Sequence, residues 1–353
     1  MSTIINVLIA LFVFSAIIFF HELGHFLLAK KNGIYVNEFA IGMGPALFSF
    51  QKKETKYSIR AIPMGGFCAM LGEDEAVEDE HSFSAKSVWA RLSVVVAGPV
   101  FNFILAFILA LIFIGVCGYD APKVGAFSDN SPAKEAGLEE GDIITEFNGH
   151  KIYNYREVLV YMQFGQSGDE ITLLVDPNRN ELEYSFTPEK TENGYKMGIV
   201  SAGYEKGNAL DVVKYSALEL RYQIKTVFLS LKYLFTGKVG IKNMAGPVGI
   251  VSMMSNTIDK AKESAGGNAG LAVINIVINM LNFAILLSAN LGVMNLLPFP
   301  ALDGGRTLLL LVEGIFRKKL PVEKEAAINM VGFVLLIGLM VIVMFQDVIK
   351  IIH

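Results

Sequence analysis

The chain reads as an α-helical polytopic membrane protein: about four transmembrane helices, one small inserted α+β domain and a membrane-associated β-hairpin. Three observations carry this reading. Hydrophobic residues make up 53% of the 353 positions and charged ones only 18%. The apolar residues gather into long uncharged runs, Ile4–Phe20, Leu92–Gly118, Leu271–Leu302 and Ala326–Gln346. Between the second and third runs the pattern changes to the short alternations and turn residues of a β-rich domain.

A bilayer core is crossed by about 20 apolar residues in a helix. The last three runs, of 27, 32 and 21 residues, are each long enough. The first is short by itself but continues through Leu23 and Phe26–Ala29. The expected segments are therefore 4–29, 88–118, 272–300 and 326–346. A cleaved leader is not expected, because Met1–Ile5 has no basic residue and no small-residue cleavage site follows.

Lysines and arginines orient these segments. Lys30, Lys31, Lys52, Lys53, Lys56 and Arg60 fall between the first two, and Arg306, Arg317, Lys318, Lys319 and Lys324 between the last two. The positive-inside rule then places both termini and the insert outside the cell membrane. A net charge of −4 without a basic cluster gives no support to a nucleic-acid partner.

Four regions follow: a membrane part over 1–118, the inserted domain over 119–200, an amphipathic helix and linker over 201–270, and a second membrane part over 271–353. In the insert, strands are expected at Val124–Phe127, Asp142–Phe147, Glu170–Asp176 and Glu181–Thr187. A helix is expected at Tyr155–Gln163, and a short one is opened by Ser131 as N-cap with Pro132 behind it. Beyond it, Val213, Ala217, Leu220, Ile224, Phe228, Leu231 and Phe235 recur at helical spacing. Lys214, Arg221, Lys225 and Lys232 lie on the other face, which suits a membrane surface or a partner helix equally. Ahead of the second segment, Ala46–Phe50 and Lys56–Ile62 read as a hairpin closed by Gln51–Thr55. Sheet edges are not tolerated against lipid, so this hairpin must sit in protein, in water or along a cavity.

The chemistry is concentrated in His21-Glu22-Leu23-Gly24-His25. Residues four apart on a helix share a face, so both imidazoles can hold one metal ion. Glu22 stands beside the first, where it can take a proton from a water activated by that ion. His and carboxylate ligands suit zinc, which binds them tetrahedrally with one position left for water. A Glu and two His at membrane depth are costly unless they serve a site. The polar end of a plain helix would need neither the paired His nor the Glu.

A third ligand is required, and no other histidine lies on a membrane segment. The best carboxylate is Asp303, in the run Asn295–Gly305 whose prolines and glycines break the helix and free its backbone. An ordinary turn aspartate at a segment end would read the same. Intramembrane His, Glu and Asp also build ion relays, but those predict two similar halves, which the sequence lacks. A scaffold with a vestigial metal motif would have lost a ligand or the Glu, and all four candidates are present.

HELGH in the first segment, with Leu302-Asp303-Gly304-Gly305 after a broken third one, resembles the site-2 protease family of intramembrane metalloproteases. The resemblance extends to Phe39–Pro45, Pro63–Phe67, Ala97–Phe103 and Gly246–Ile250. Within the insert, Asn130–Ala133, Ala136–Leu138, Gly141–Ile144 and Asn148-Gly149 are similar to a bacterial PDZ domain. The likeness implies a PDZ-like fold over 119–200, Zn²⁺ held by His21, His25 and Asp303, and Glu22 as catalytic base. It also implies an active site toward the cytoplasmic side and a substrate contact at Asn295, with further contacts assigned to Gly42 and Gly44. The implied substrate is a single-pass membrane protein, such as an anti-sigma factor or signal-peptide remnant, already trimmed by a site-1-type protease. Room for one PDZ domain, where some bacterial members carry two, points to the single-PDZ branch.

Overall fold

The computed structural model describes residues 2–73, 75, 77–165, 168–176, 181–191, 194–237, 240, 245–319 and 321–352. They form two compact units, 1–109 with 240–353, and 110–239. Four of the described helices are long and apolar enough to cross a membrane: Ile4–Lys31, Val88–Cys117, Ala269–Leu296 and Lys324–Lys350. The chain is a multi-pass membrane protein.

The first unit opens with α1 (Ser2–Lys31), whose last turn carries Lys30 and Lys31 against the negative end of the helix dipole. Strands β1 (Val36–Lys52) and β2 (Thr55–Met70) follow. They are antiparallel, and their register is doubled. Phe39 faces both Cys68 and Tyr57, and Ala40 faces both Phe67 and Ser58. Residues 38–41 thus lie between two runs of β2, 56–59 and 66–69, while 46–52 pairs back on 55–60.

The expected hairpin over Ala46–Ile62 is only half of this sheet. Gly42, Gly44 and Gly65, just outside the expected hairpin in sequence, lie inside the strands with φ of 86°, 82° and 87°. This left-handed backbone is open to glycine at no steric cost and lets each strand turn back on itself. Helix α2 (Val88–Cys117) contains Pro99, and its final turns belong to the second unit.

The second unit holds β3 (Tyr119–Asp120), β4 (Val124–Phe127), α3 (Pro132–Glu135), β5 (Ile144–Phe147), β6 (His150–Lys151) and α4 (Tyr155–Gly165). It continues through β7 (Ile171–Val175), β8 (Leu182–Phe186), β9 (Glu189–Thr191), β10 (Gly194–Lys196), β11 (Ile199–Ser201), β12 (Tyr204–Glu205) and α5 (Ala209–Phe235). A four-stranded sheet runs β6-β5-β7-β8, and β11 pairs with β4. Val124, Ile144, Val158, Leu173 and Val175 pack into one core. Ser131 caps α3 by accepting from Lys134 N.

Helix α5 settles which way its two faces point. Arg221 and Lys225 reach Glu157 of α4 at 3.0 and 3.3 Å, and Arg156 pairs with Glu219. Glu219, Arg221 and Lys225 therefore face the domain, while Lys214 and Lys232 are exposed, as are Leu210 (80%), Val213, Phe228 and Phe235 (84%).

The first unit resumes with α6 (Pro247–Ser264), which lies where the sequence suggests a linker. Met254 and Ile258 pack on Ala10 of α1 and on Met280 of α7 (Ala269–Leu296). Asn6 of α1 donates to Ser255 Oγ and Asp259 Oδ1, both at 3.0 Å. Helices α8 (Asp303–Phe316) and α9 (Val322–Ile352) complete the chain. Asp347 of α9 caps α6, accepting from Gly246 N and Gly249 N at 3.1 and 2.8 Å. That carboxylate satisfies donors that the start of α6 leaves open.

Candidate metal centre

The uninterrupted path of α1 brings His21 and His25 onto one face, their ring centroids 4.8 Å apart. The third group arrives from the far end of the chain. Helix α7 stops at Leu296, the chain turns through Pro298 and Pro300, and α8 begins at Asp303. That turn requires the two glycines behind Asp303. A Cβ on Gly304 would lie 2.1 Å from Leu297 O, and one on Gly305 2.3 Å from Phe299 O.

Asp303 Oδ2 then stands 3.2 Å from His21 Nε2 and 3.5 Å from His25 Nε2, and the two Nε2 atoms are 3.2 Å apart. Oδ2 is buried and makes no well-aligned hydrogen bond among the described residues, so the three atoms converge on a point between them. A tetrahedral ion with ligand bonds of about 2.1 Å spaces its ligands about 3.4 Å apart, so the three fit zinc.

Helix α2 builds the other wall. His25 Nδ1 lies 2.9 Å from Val94 O, and Asn102 Nδ2 lies 3.1 Å from His21 Nδ1. Asn295 Nδ2, on α7, is 3.3 Å from His21 Nε2. A cavity of about 430 Å³ opens beside these groups, lined also by Glu22, Phe67–Met70, Glu73 and Arg306. The run 66–69 pairs only with 38–41 among the described residues, which leaves its outer edge toward this cavity.

The structure thus brings together His21, Glu22, His25, Asn295 and Asp303, and it does not bring Gly42 or Gly44 to the cavity. Both glycines serve the bending of β1, where a Cβ on Gly42 would meet Ile62 O at 2.6 Å. Val94, Gly98, Asn102 and the 66–69 edge were given no site role from the sequence, although Gly98, Asn102 and 66–67 lie in stretches that carry the family resemblance. Asn102 left a signal, being the one amide side chain in the uncharged run Leu92–Gly118.

Two imidazoles and a carboxylate around one point, with a second carboxylate lining the same cavity, are a set that can hold a metal ion for hydrolysis inside a membrane protein. The family model described as Peptidase family M50 matches residues 9–339, and the chain belongs to that family, the site-2 proteases. It is 40% identical to a candidate zinc metalloprotease of Clostridium acetobutylicum, over 98% of this chain and 97% of that protein. It is 33% identical to the Regulator of sigma-W protease RasP of Bacillus subtilis, over 98% of both chains. A solved PDZ domain of an SdrC-like protein from Listeria innocua matches a quarter of the chain at 24% identity with a TM-score of 0.22.

Proposed function

We propose that the chain is an intramembrane zinc metalloprotease acting in regulated intramembrane proteolysis, with His21, His25 and Asp303 as zinc ligands and Glu22 as catalytic base. The observation that carries the assignment of residues is the convergence of three ligand atoms, all within 4.8 Å of one another, beside Glu22. Zinc, when bound, supplies Lewis acidity toward the scissile carbonyl and the attacking water. Glu22 takes the water's proton and returns it to the leaving amine. Asn295, whose amide reaches the same centre, orients the substrate backbone.

A helical substrate hides its carbonyls in its own hydrogen bonds, so it must unwind before one can be attacked. Such a segment needs a sheet edge to pair on, and the hairpin at 46–62 offers one. The lining of the cavity favours the neighbouring run 66–69 instead, which would take up the unwound segment as an added strand. Gly42 and Gly44 would then act on substrate only through the sheet they bend.

The relative in Bacillus subtilis is named for sigma-W regulation. Carried over to this chain, that name favours a single-pass, membrane-bound sigma-factor regulator as substrate, trimmed beforehand by another protease. The insert at 119–200 is read as a PDZ-like domain outside the cell, with both termini on that side and the metal toward the cytoplasm. The apolar stripe of α5 is suited to the lipid headgroup zone. Purified protein in lipid nanodiscs should contain one zinc per chain and cleave a trimmed single-pass substrate. Metal-free protein that cleaves at the same rate overturns the reading.

A further inference from the structure

A neutral imidazole carries one N–H, and whichever nitrogen holds it cannot ligate a metal. For His25 the choice is made by Val94 O, a carbonyl that only accepts, 2.9 Å from Nδ1. Nδ1 must carry the hydrogen there, which leaves the Nε2 lone pair toward Asp303.

His21 has no carbonyl at that position. Its Nδ1 meets the amide of Asn102, a fully buried residue on α2. In the orientation described, Asn102 Nδ2 faces the ring at 3.1 Å and Oδ1 is buried with no partner among the described residues. That arrangement would make Nδ1 the acceptor and put the hydrogen on Nε2, on the metal side. The two ends of an amide are nearly the same size, and a half-turn about Cβ–Cγ exchanges them. The half-turn sets Oδ1 against Nδ1–H, gives the orphaned oxygen a partner and frees Nε2. Asn102 itself is held in register, because its backbone carbonyl accepts from Ser288 Oγ of α7 at 2.8 Å.

We infer that in the zinc-loaded enzyme the side-chain oxygen of Asn102 accepts a hydrogen bond from Nδ1–H of His21, fixing the tautomer and direction that ligation needs. Asn102 is then a positioning residue, doing for His21 what the Val94 carbonyl does for His25. The inference rests on His21 being a zinc ligand.

The test is zinc affinity, measured by chelator competition on full-length protein in nanodiscs. Asn102→Ala and Asn102→Leu should weaken binding by about 10–100-fold, the usual effect of removing an outer partner of a ligating histidine. Asn102→Asp, which keeps an accepting oxygen in place, should stay close to wild type. If Asp weakens binding as much as Ala, or Ala binds as wild type does, Asn102 only fills space and the inference is wrong. His21→Ala is the control that separates the two ideas, since undiminished affinity there overturns the ligand assignment itself. Should the Ala and Leu variants not fold, wild-type enzyme labelled with ¹⁵N-histidine decides. Of its five histidines, the two shifted by zinc should both carry their hydrogen on Nδ1. A hydrogen on Nε2 of either overturns the proposal.

Discussion

A Cβ built on Gly98 would lie 2.2 Å from Nε2 of His25 and 2.7 Å from Cε1 of His21. The backbone of α2 is therefore the surface against which both imidazoles rest, and any side chain there must push them away. Overpacking of this kind costs about 1–3 kcal/mol. Gly98→Ala should lower zinc affinity by about one to two orders of magnitude, read by metal analysis after dialysis against a chelator. Undiminished zinc would mean that the rings can step aside freely.

Glu22→Gln should leave zinc in place and abolish hydrolysis. Gln keeps the shape but cannot take the proton, and such groups contribute about 10²–10⁴-fold. Residual activity above about a hundredth of wild type, in protein with full zinc, would remove Glu22 from the mechanism.

Asp303→Ala should lower metal content and activity together, because it deletes one of three converging atoms. Full zinc occupancy in that variant would send the search to another carboxylate.

The spans, the HELGH helix and the small insert were legible because each is written locally. Long uncharged runs mark membrane helices, a four-residue spacing marks a helix face, and Ser131-Pro132 marks a helix start. Helices α6 and α8 were not. The stretch 247–264 mixes Gly, Ser, Asn and charges, and it packs as a helix between Ala10, Met280 and the Asp347 cap, all distant in sequence. The doubled register of β1 was hidden for the same reason, since Phe39 has two partners that local alternation cannot name. The drawing of Asp303 to His21 depends on the turn at Leu297–Leu302 and on Gly304 and Gly305 behind it, glycines that are visible in the sequence though their close approaches are not.

Substrate unwinding should limit the rate. Placing Gly, Pro or Asn in a substrate's membrane segment should speed cleavage, and Leu or Ala replacements should slow it, in a single-turnover assay. Equal rates would remove the need for an added strand at 66–69.

Replacing 123–188 by a flexible linker should make untrimmed substrates cleavable, if the insert excludes them by bulk. Slower cutting of trimmed substrates, with untrimmed ones still intact, would instead mark it as a clamp for a new chain terminus. Unchanged rates for both would assign it to folding or to another partner.

The orientation of α5 bears on how the insert can be handled apart from the bilayer. Arg221, Lys225 and Glu219 are turned to Glu157 and Arg156, and the outer face carries Leu210, Val213, Phe228 and Phe235 beside the exposed Lys214 and Lys232. A piece cut to include this helix carries an oily seam into solution and is prone to self-association. A piece ending before Asn208 loses that seam, but it also strips Arg221 and Lys225 from the nearly buried Glu157. Trimming for solubility therefore has to neutralise Glu157 at the same stroke.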